Sequence, residues 1–308
     1  MLARMPDARP DGVVFFGTPA IAARCLSLMV ESGIVVDLVV TAEPKRRGRG
    51  STVMKTPVHE FAESRGIPVV HDLDAVVPFT ESRGGQWLGV VVAYGRLIPN
   101  NVLTRLPLVN LHFSLLPRWR GAAPVERAIL AGDTEVGVCV MRIVEALDEG
   151  DVFARVVIEV GSDDADELRD RLCVIGTNEL RRLLDEGWGS PEPQTGESTY
   201  ARKITKEERR ISWNEPAERI VRVTRIGGAF TELRGQRVKI AKAHCAEDAL
   251  GLPAWTSGEA RMIDRRVVVA GGTGHVVLDL VQPAGRAVMS ALDWWNGLAS
   301  TLDPVRFD

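Results

Sequence analysis

The chain has 308 residues, 45% hydrophobic and 26% charged, an ordinary globular mixture that excludes disorder, collagen and fibrous repeats. At roughly 150 residues per domain, about two domains are expected. With 38 Lys/Arg against 41 Asp/Glu the net charge is −3, so the whole is no polybasic nucleic-acid wrapper and an anionic partner must meet a local patch.

Met1 to Pro10 lacks the apolar core of a signal peptide, and no apolar run approaches the roughly 18 residues needed to cross a bilayer. The expected location is the cytoplasm, with no membrane partner. From Asp11 to about Trp188, short β-branched runs alternate with helical patterns, the arrangement of an α/β fold with a parallel sheet covered by helices. Strands are expected at 12–16, 34–41, 67–70, 88–93, 108–113 and 136–143. The runs Val35 to Val40 and Gly89 to Ala93 lack apolar/polar alternation and read as central strands buried on both faces.

Between the second and third of these strands, Glu43 to Lys55 carries five cations, Lys45, Arg46, Arg47, Arg49 and Lys55, on a glycine-punctuated segment. It has no GxGxxG, so a dinucleotide site is a poor reading; a solubilising surface loop fits as well as an anion-binding one. The cysteines Cys25, Cys139, Cys173 and Cys245 are too far apart for a zinc knuckle or a redox CxxC, and a disulfide framework is not expected at this size. His59, His71, His244 and His275 lack metal-ligand spacing, and no metal is assigned.

The stretch Val109-Asn110-Leu111-His112-Phe113-Ser114-Leu115-Leu116-Pro117 is the most informative. Side chains two apart on a strand share a face, so Asn110 and His112 converge at a strand end, where open α/β sheets bind ligands. Asn110 offers an amide donor for a developing oxyanion, and His112 can donate to the same oxygen or move a proton near neutral pH. Leu147-Asp148-Glu149-Gly150-Asp151 offers a carboxylate, Asp148, to orient the imidazole. Each residue alone also reads as a turn cap, a satisfied core histidine or an acidic turn. Two polar groups on one face of an apolar strand are harder to explain structurally, since burying each unpaired costs roughly 1–3 kcal/mol.

A helical segment at about 165–186 is followed by a Gly- and Pro-rich stretch, which sets the domains at 1–187 and 201–308 with a linker at 188–200. Beyond it, 236–242, 265–270 and 275–281 read as strands and 215–225 as a helix, giving a small β-barrel. Gly271 to Gly274 reads as a turn, and Trp294 and Trp295 as closing a core. Residues 201–242 hold 12 Lys/Arg against 5 Asp/Glu, whereas 1–200 hold 21 against 28. Such segregation suits a polyanion, although Glu/Arg pairs on a solvated helix face give the same count.

The blocks Asn110 to Pro117, Gly121-Ala122-Ala123-Pro124 and Leu147 to Asp151 resemble the signature of the folate-dependent formyltransferases, most of all the branch acting on methionyl-tRNA. Gly17-Thr18-Pro19, Ala93 to Pro99, Tyr200 to Glu208 and Gly228 to Thr231 fit the same pattern, so the likeness spans about residues 12–290. It implies a Rossmann-like formyltransferase domain that binds 10-formyltetrahydrofolate as formyl donor. It also implies a smaller OB-like C-terminal barrel that helps hold initiator methionyl-tRNA, whose free amino group is formylated for translation initiation.

By the same resemblance, Asn110, His112 and Asp148 form the catalytic trio. Ser114, Leu115, Leu116 and Pro117 contact the folate, with Arg96, Leu97 and Ile98 as further candidates. Arg46, Arg47, Arg49, Lys55, Lys203 and Lys206 are assigned to tRNA. Two departures stand out: Ser51 and Thr52 replace the two lysines usual in the basic loop, and Thr224 to Ala229 is shorter than the family's turn. A monomer is expected. The competing readings are formyl transfer to an amino sugar nucleotide, hydrolysis with water replacing the amine, and a non-enzymatic RNA-binding protein.

Overall fold

Six consecutive buried residues, Gly12–Gly17, form strand β1, central in a seven-stranded sheet and shielded on both faces. These positions come from a computed structural model that describes residues 2–46, 53–247, 255–298 and 305–308. The other strands are β2 (Leu38–Val40), β3 (Val69–Val70), β4 (Trp87–Val92), β5 (Leu108–His112), β6 (Glu135–Arg142) and β7 (Val152–Glu159). The spatial order is β7-β6-β5-β4-β1-β2-β3. Pairing is parallel from β3 through β5 and antiparallel at β5–β6 and β6–β7.

Helix α1 (Ala20–Glu31) buries Ala22, Cys25, Leu26 and Met29, a stripe with helical spacing. Helix α2 (Ala165–Glu186) coincides with the expected segment, and its buried Leu168, Leu172, Leu180 and Leu183 recur at three- to four-residue multiples. The largest fully buried side chains include Phe15, Phe16, Leu26, Leu38 and Leu88. Each stabilises the fold by about 1.5–3 kcal/mol through loss of water contact.

Two expectations shift. The second strand begins at Leu38, and Val35 is 66% exposed because it lies in the approach to the sheet. Strand β7 was absent from the sequence reading: it is an edge strand whose one fully buried residue is Val152, so its alternation is faint.

The chain divides into two units, 1–125 with 134–160 and 167–202, and 126–133 with 161–166 and 203–308. Residues 188–200 thus group with the first unit. Glu192 and Val152 exchange backbone hydrogen bonds, and Tyr200–Ala201 pairs in parallel with Arg120–Gly121.

In the second unit, helix α3 (Ala217–Arg225) packs Ala217 and Ile220 into an antiparallel sheet. Its strands are β8 (Phe230–Leu233), β9 (Gln236–Cys245), β10 (Glu259–Ile263), β11 (Arg266–Ala270), β12 (His275–Pro283) and β13 (Val305–Arg306). The order is β8-β9-β12-β11-β10-β13, with Met289–Ser290 added on β12. Just past β13, the Asp308 N–H reaches the Glu232 carbonyl on β8 at 2.9 Å. This bond nearly closes the sheet into a barrel and satisfies an edge. Phe307 stacks between Trp213 and Trp294 in the barrel core. The turn Gly271 to Gly274 joins β11 to β12, and a Cβ on Gly272 would lie 2.0 Å from the Asn214 carbonyl oxygen, so only glycine fits.

Among the described residues, no helix is long and apolar enough to cross a membrane, and no group of three His, Cys, Asp or Glu is placed to hold a metal.

Candidate functional site

Strands β1, β4 and β5 run parallel, with Gly17 opposite Val92 and Val91 opposite Asn110, so their carboxyl ends form one rim. Three non-glycine residues at this rim and in the loops beside it have left-handed backbone: Ala93, Trp119 and Asp148, at φ 46°, 62° and 54°. Such conformations cost about 1–3 kcal/mol each and persist where surrounding contacts impose them.

Asn110 and His112 share one face of β5 through the two-residue period. Asn110 is half-buried, and among the described residues its amide has no hydrogen bond. His112 is 5% exposed. Its Nε2 lies 2.9 Å from the Trp119 carbonyl oxygen, which only accepts, so Nε2 carries a hydrogen. Its Nδ1 faces Asp148 Oδ2 at 3.7 Å, an ion-pair approach rather than a hydrogen bond. The same Oδ2 accepts from the Gly121 N–H at 2.8 Å. The structure thus brings Asp148 up to His112, and Asn110 lies two residues before His112 on the same face of β5.

The loop bearing Asp148 is pinned closely. A Cβ on Gly150 would lie 1.8 Å from the Arg142 carbonyl oxygen, so the chain passes the end of β6 only as glycine. The Asp151 carbonyl accepts from the Arg142 N–H at 2.8 Å. Gln194 donates to the carbonyls of Asp148 and Gly150 at 2.9 and 2.8 Å. Its Oε1 accepts from Arg120 Nε and Nη2, and Arg120 Nη1 reaches Glu149 at 2.9 Å. Thr199 Oγ1 accepts from the Trp119 N–H at 2.9 Å.

Sequence reading missed Gln194, Arg120 and Thr199 as parts of this neighbourhood. Arg120 stands between the motif blocks and could have been flagged; the other two lie in the stretch read as linker, where nothing local marks them.

The remaining candidates are placed unevenly. Ser114 is buried and its hydroxyl donates to the Arg118 carbonyl at 2.6 Å. Leu116 is buried among Cys139, Met141 and Val152, while Leu115 and Pro117 are half-buried. Past β4, Arg96 is exposed and donates to the His71 carbonyl at 3.0 Å, Leu97 is 77% exposed, and Ile98 packs on the core.

Arg46 is exposed on a two-residue strand, Lys45–Arg46, paired with Val53–Met54. Arg47 and Arg49 lie outside the described residues. Lys55 pairs with Glu63 at 2.6 Å, and its hydrogen bond holds the Glu63 carboxyl below its ordinary range. Lys203 and Lys206 are exposed in the second unit.

The model of the formyl transferase family matches residues 12–182, and that of the formyl transferase C-terminal domain matches 203–299. The chain belongs to the formyl transferase family. It is 40% identical over 304 residues to a methionyl-tRNA formyltransferase of Roseobacter denitrificans, covering 93% of this chain and 96% of that one.

Two solved structures share the fold. HypX from Aquifex aeolicus superposes with a TM-score of 0.63 at 17% identity over 98% of this chain, which spans about half (49%) of HypX. WlaRD, a sugar 3N-formyl transferase crystallised in the presence of dTDP and 5-N-formyl-THF, gives 0.63 at 18% identity, covering 90% of this chain and 98% of WlaRD. Proteins named for different acceptors thus share this fold, and fold alone does not choose among them.

Proposed function

We propose that the chain transfers the formyl group of 10-formyltetrahydrofolate to the amino group of initiator methionyl-tRNA. The observation that supports this reading is the approach of Asp148 to His112 at a sheet rim, with Asn110 on the same strand face, in a chain 40% identical to a methionyl-tRNA formyltransferase over nearly its whole length. The segregated positive charge of residues 201–242 favours a tRNA over an amino sugar nucleotide as the acceptor.

The amine of the aminoacyl end attacks the formyl carbon, the bond from that carbon to the donor nitrogen breaks, and one proton passes from the amine to that nitrogen. Asn110 donates to the formyl oxygen as charge gathers there. His112 exchanges the Trp119 carbonyl for the same oxygen through its Nε2–H. Asp148 orients the ring from the Nδ1 side and assists the proton's passage. Leu97 and Ile98, with Leu115 and Pro117, offer partly open apolar surface near the rim for the flat donor, and Ser114 and Leu116 shape that wall from within. Arg96 borders it.

Arg46, Arg47, Arg49 and Lys55 belong to the acceptor-arm contact, where arginines suit RNA ends; Lys203 and Lys206, in the second unit, are assigned to the tRNA as well. The division into a folate-binding domain at 1–187, a linker at 188–200 and a tRNA-binding barrel at 201–308 is part of the same proposal.

The deciding experiment supplies purified protein with 10-formyltetrahydrofolate and methionine-charged initiator tRNA, beside amino sugar nucleotide and acceptor-free controls. Formylmethionyl-tRNA as the main product is expected. Product from the sugar alone, or formate released as fast without an amine, overturns the reading.

A further inference from the structure

The Gln194 side chain uses its full hydrogen-bonding capacity. Its amide nitrogen has two hydrogens, and both are directed at backbone carbonyls, those of Asp148 at 2.9 Å and Gly150 at 2.8 Å. Its oxygen receives the Arg120 Nε at 3.1 Å and Nη2 at 2.7 Å. The orientation of the amide is fixed by chemistry: carbonyls accept only and guanidinium donates only, so the flipped amide would set its one oxygen against two carbonyls and its N–H groups against those of the guanidinium. Arg120 in turn holds Glu149 at 2.9 Å, so residues 148, 149 and 150 are all tied to this pair.

What these ties hold is a backbone that resists its own conformation. Asp148 sits at φ 54°, a left-handed value that an L-residue adopts at a cost, and Gly150 is pressed against the end of β6. Only in that shape does the Asp148 carboxylate take the Gly121 N–H and stand 3.7 Å from His112 Nδ1. A side chain reaching over from residue 194, 46 positions further along, therefore sets where the carboxylate lies.

We infer that Gln194 is a positioning residue for the formyl-transfer site, acting through Asp148 by clamping its loop to Arg120. The assignment rests on the trio reading of the site. It makes the stretch 188–200 a working part of that site, because its strap from Glu192 to Ala201 is bonded on one side to Val152 and on the other to residues 117–123. Release of the clamp lets the loop relax and moves the carboxylate, and a displacement of about 1 Å in an oriented group can cost on the order of 100-fold in rate.

The test is a double-mutant cycle in formyl transfer, with Gln194→Ala and Asp148→Asn singly and together. The expected result is a kcat for Gln194→Ala about 10- to 100-fold below the parent, KM for both substrates within about twofold, and a displaced pH profile of kcat. In the Asp148→Asn background the same change costs less than about threefold, because its target is already lost. Gln194→Glu keeps the length and the Arg120 contact but turns an oxygen toward two carbonyls; it is expected to fall with the alanine variant.

Full parental kcat in Gln194→Ala, or an undiminished loss in the Asp148→Asn background, overturns the inference. A parent protein without formyl transfer overturns the trio reading instead. The clamp is then judged by nuclear magnetic resonance of the His112 ring, whose resonances move on Gln194→Ala if the residue positions Asp148 and stay put if it does not. Should the alanine variant fail to fold, Gln194→Glu carries the same comparisons.

Discussion

The rim of the first sheet and the barrel of the second unit are built on opposite plans. At the rim, polar groups are drawn inward: His112 is 5% exposed, Asp148 accepts a backbone N–H, and the Asp148 loop is tied down by Gln194. In the barrel the interior is apolar, with Phe307 between two tryptophans, and the cations Lys203 and Lys206 stand outside in solvent. Buried polar groups held by convergent hydrogen bonds mark a site whose geometry matters to fractions of an ångström. Exposed charge on a closed scaffold marks a surface whose number of cations matters more than their placement. Substitutions should therefore fail abruptly at the rim and by degrees on the barrel.

The largest effect is expected at Asn110. Its half-buried amide has no hydrogen bond among the described residues, so Asn110→Ala removes a donor while disturbing no internal bond. Loss of one oxyanion donor typically lowers turnover by about 100- to 1,000-fold, with the melting temperature little changed. Steady-state formylation beside a thermal melt checks this; near-parental turnover removes Asn110 from the reaction and blurs the contrast. Next in size is Gly150→Ala. The new methyl meets the Arg142 carbonyl, the loop must shift, and turnover is expected to fall about 100-fold. A variant whose kcat is unaltered would show that the position of Asp148 tolerates movement.

A milder outcome is expected from Lys203→Ala with Lys206→Ala. Each exposed cation that neutralises a phosphate contributes about 1 to the slope of log affinity against log salt, so the pair should flatten that slope by about 1 to 2 while leaving kcat alone. Filter binding of initiator tRNA across a salt series reads this. A kcat loss with an unchanged slope would mean that the barrel behaves like the rim.

Legibility in the sequence followed the same divide between local and distant causes. Helix α2 was readable because its leucines keep helical spacing along 22 residues. The Asn110/His112 pair was readable because a strand's period is two. Edge strand β7 escaped because half of its alternation faces solvent, and the closing strand β13 because two residues carry no periodic signal. Gln194 lay beyond reach for a stronger reason. Its partners are 44 and 46 residues away on one side and 74 on the other, in a segment whose composition is that of a linker. Composition reports how freely a chain bends, and says nothing of what one amide in it will grip.

The smallest expected effect is a pH dependence of stability at His59, which belongs to neither the rim nor the barrel. Its helix, Pro57–Ser64, is capped by Thr56, whose hydroxyl accepts from the His59 N–H. The ring stacks on His71 at 5.2 Å, and its buried Nδ1 has no hydrogen-bond partner among the described residues. Burial first, then the nearby Lys55 and His71, hold its pKa below the ordinary 6.5. The unfolded chain then binds this proton more tightly than the folded one. Stability from this group is complete above about 6.5 and declines as pH falls from there through the lowered folded value. Denaturant melts of the parent at pH 7.5 and 5.5 should show a loss that His59→Gln reduces, with turnover per folded molecule unaffected. A parental loss that His59→Gln leaves unchanged would move the acid sensitivity to other groups. An accompanying change in turnover would extend the strained rim as far as this helix, and the contrast between the two plans would need a wider boundary.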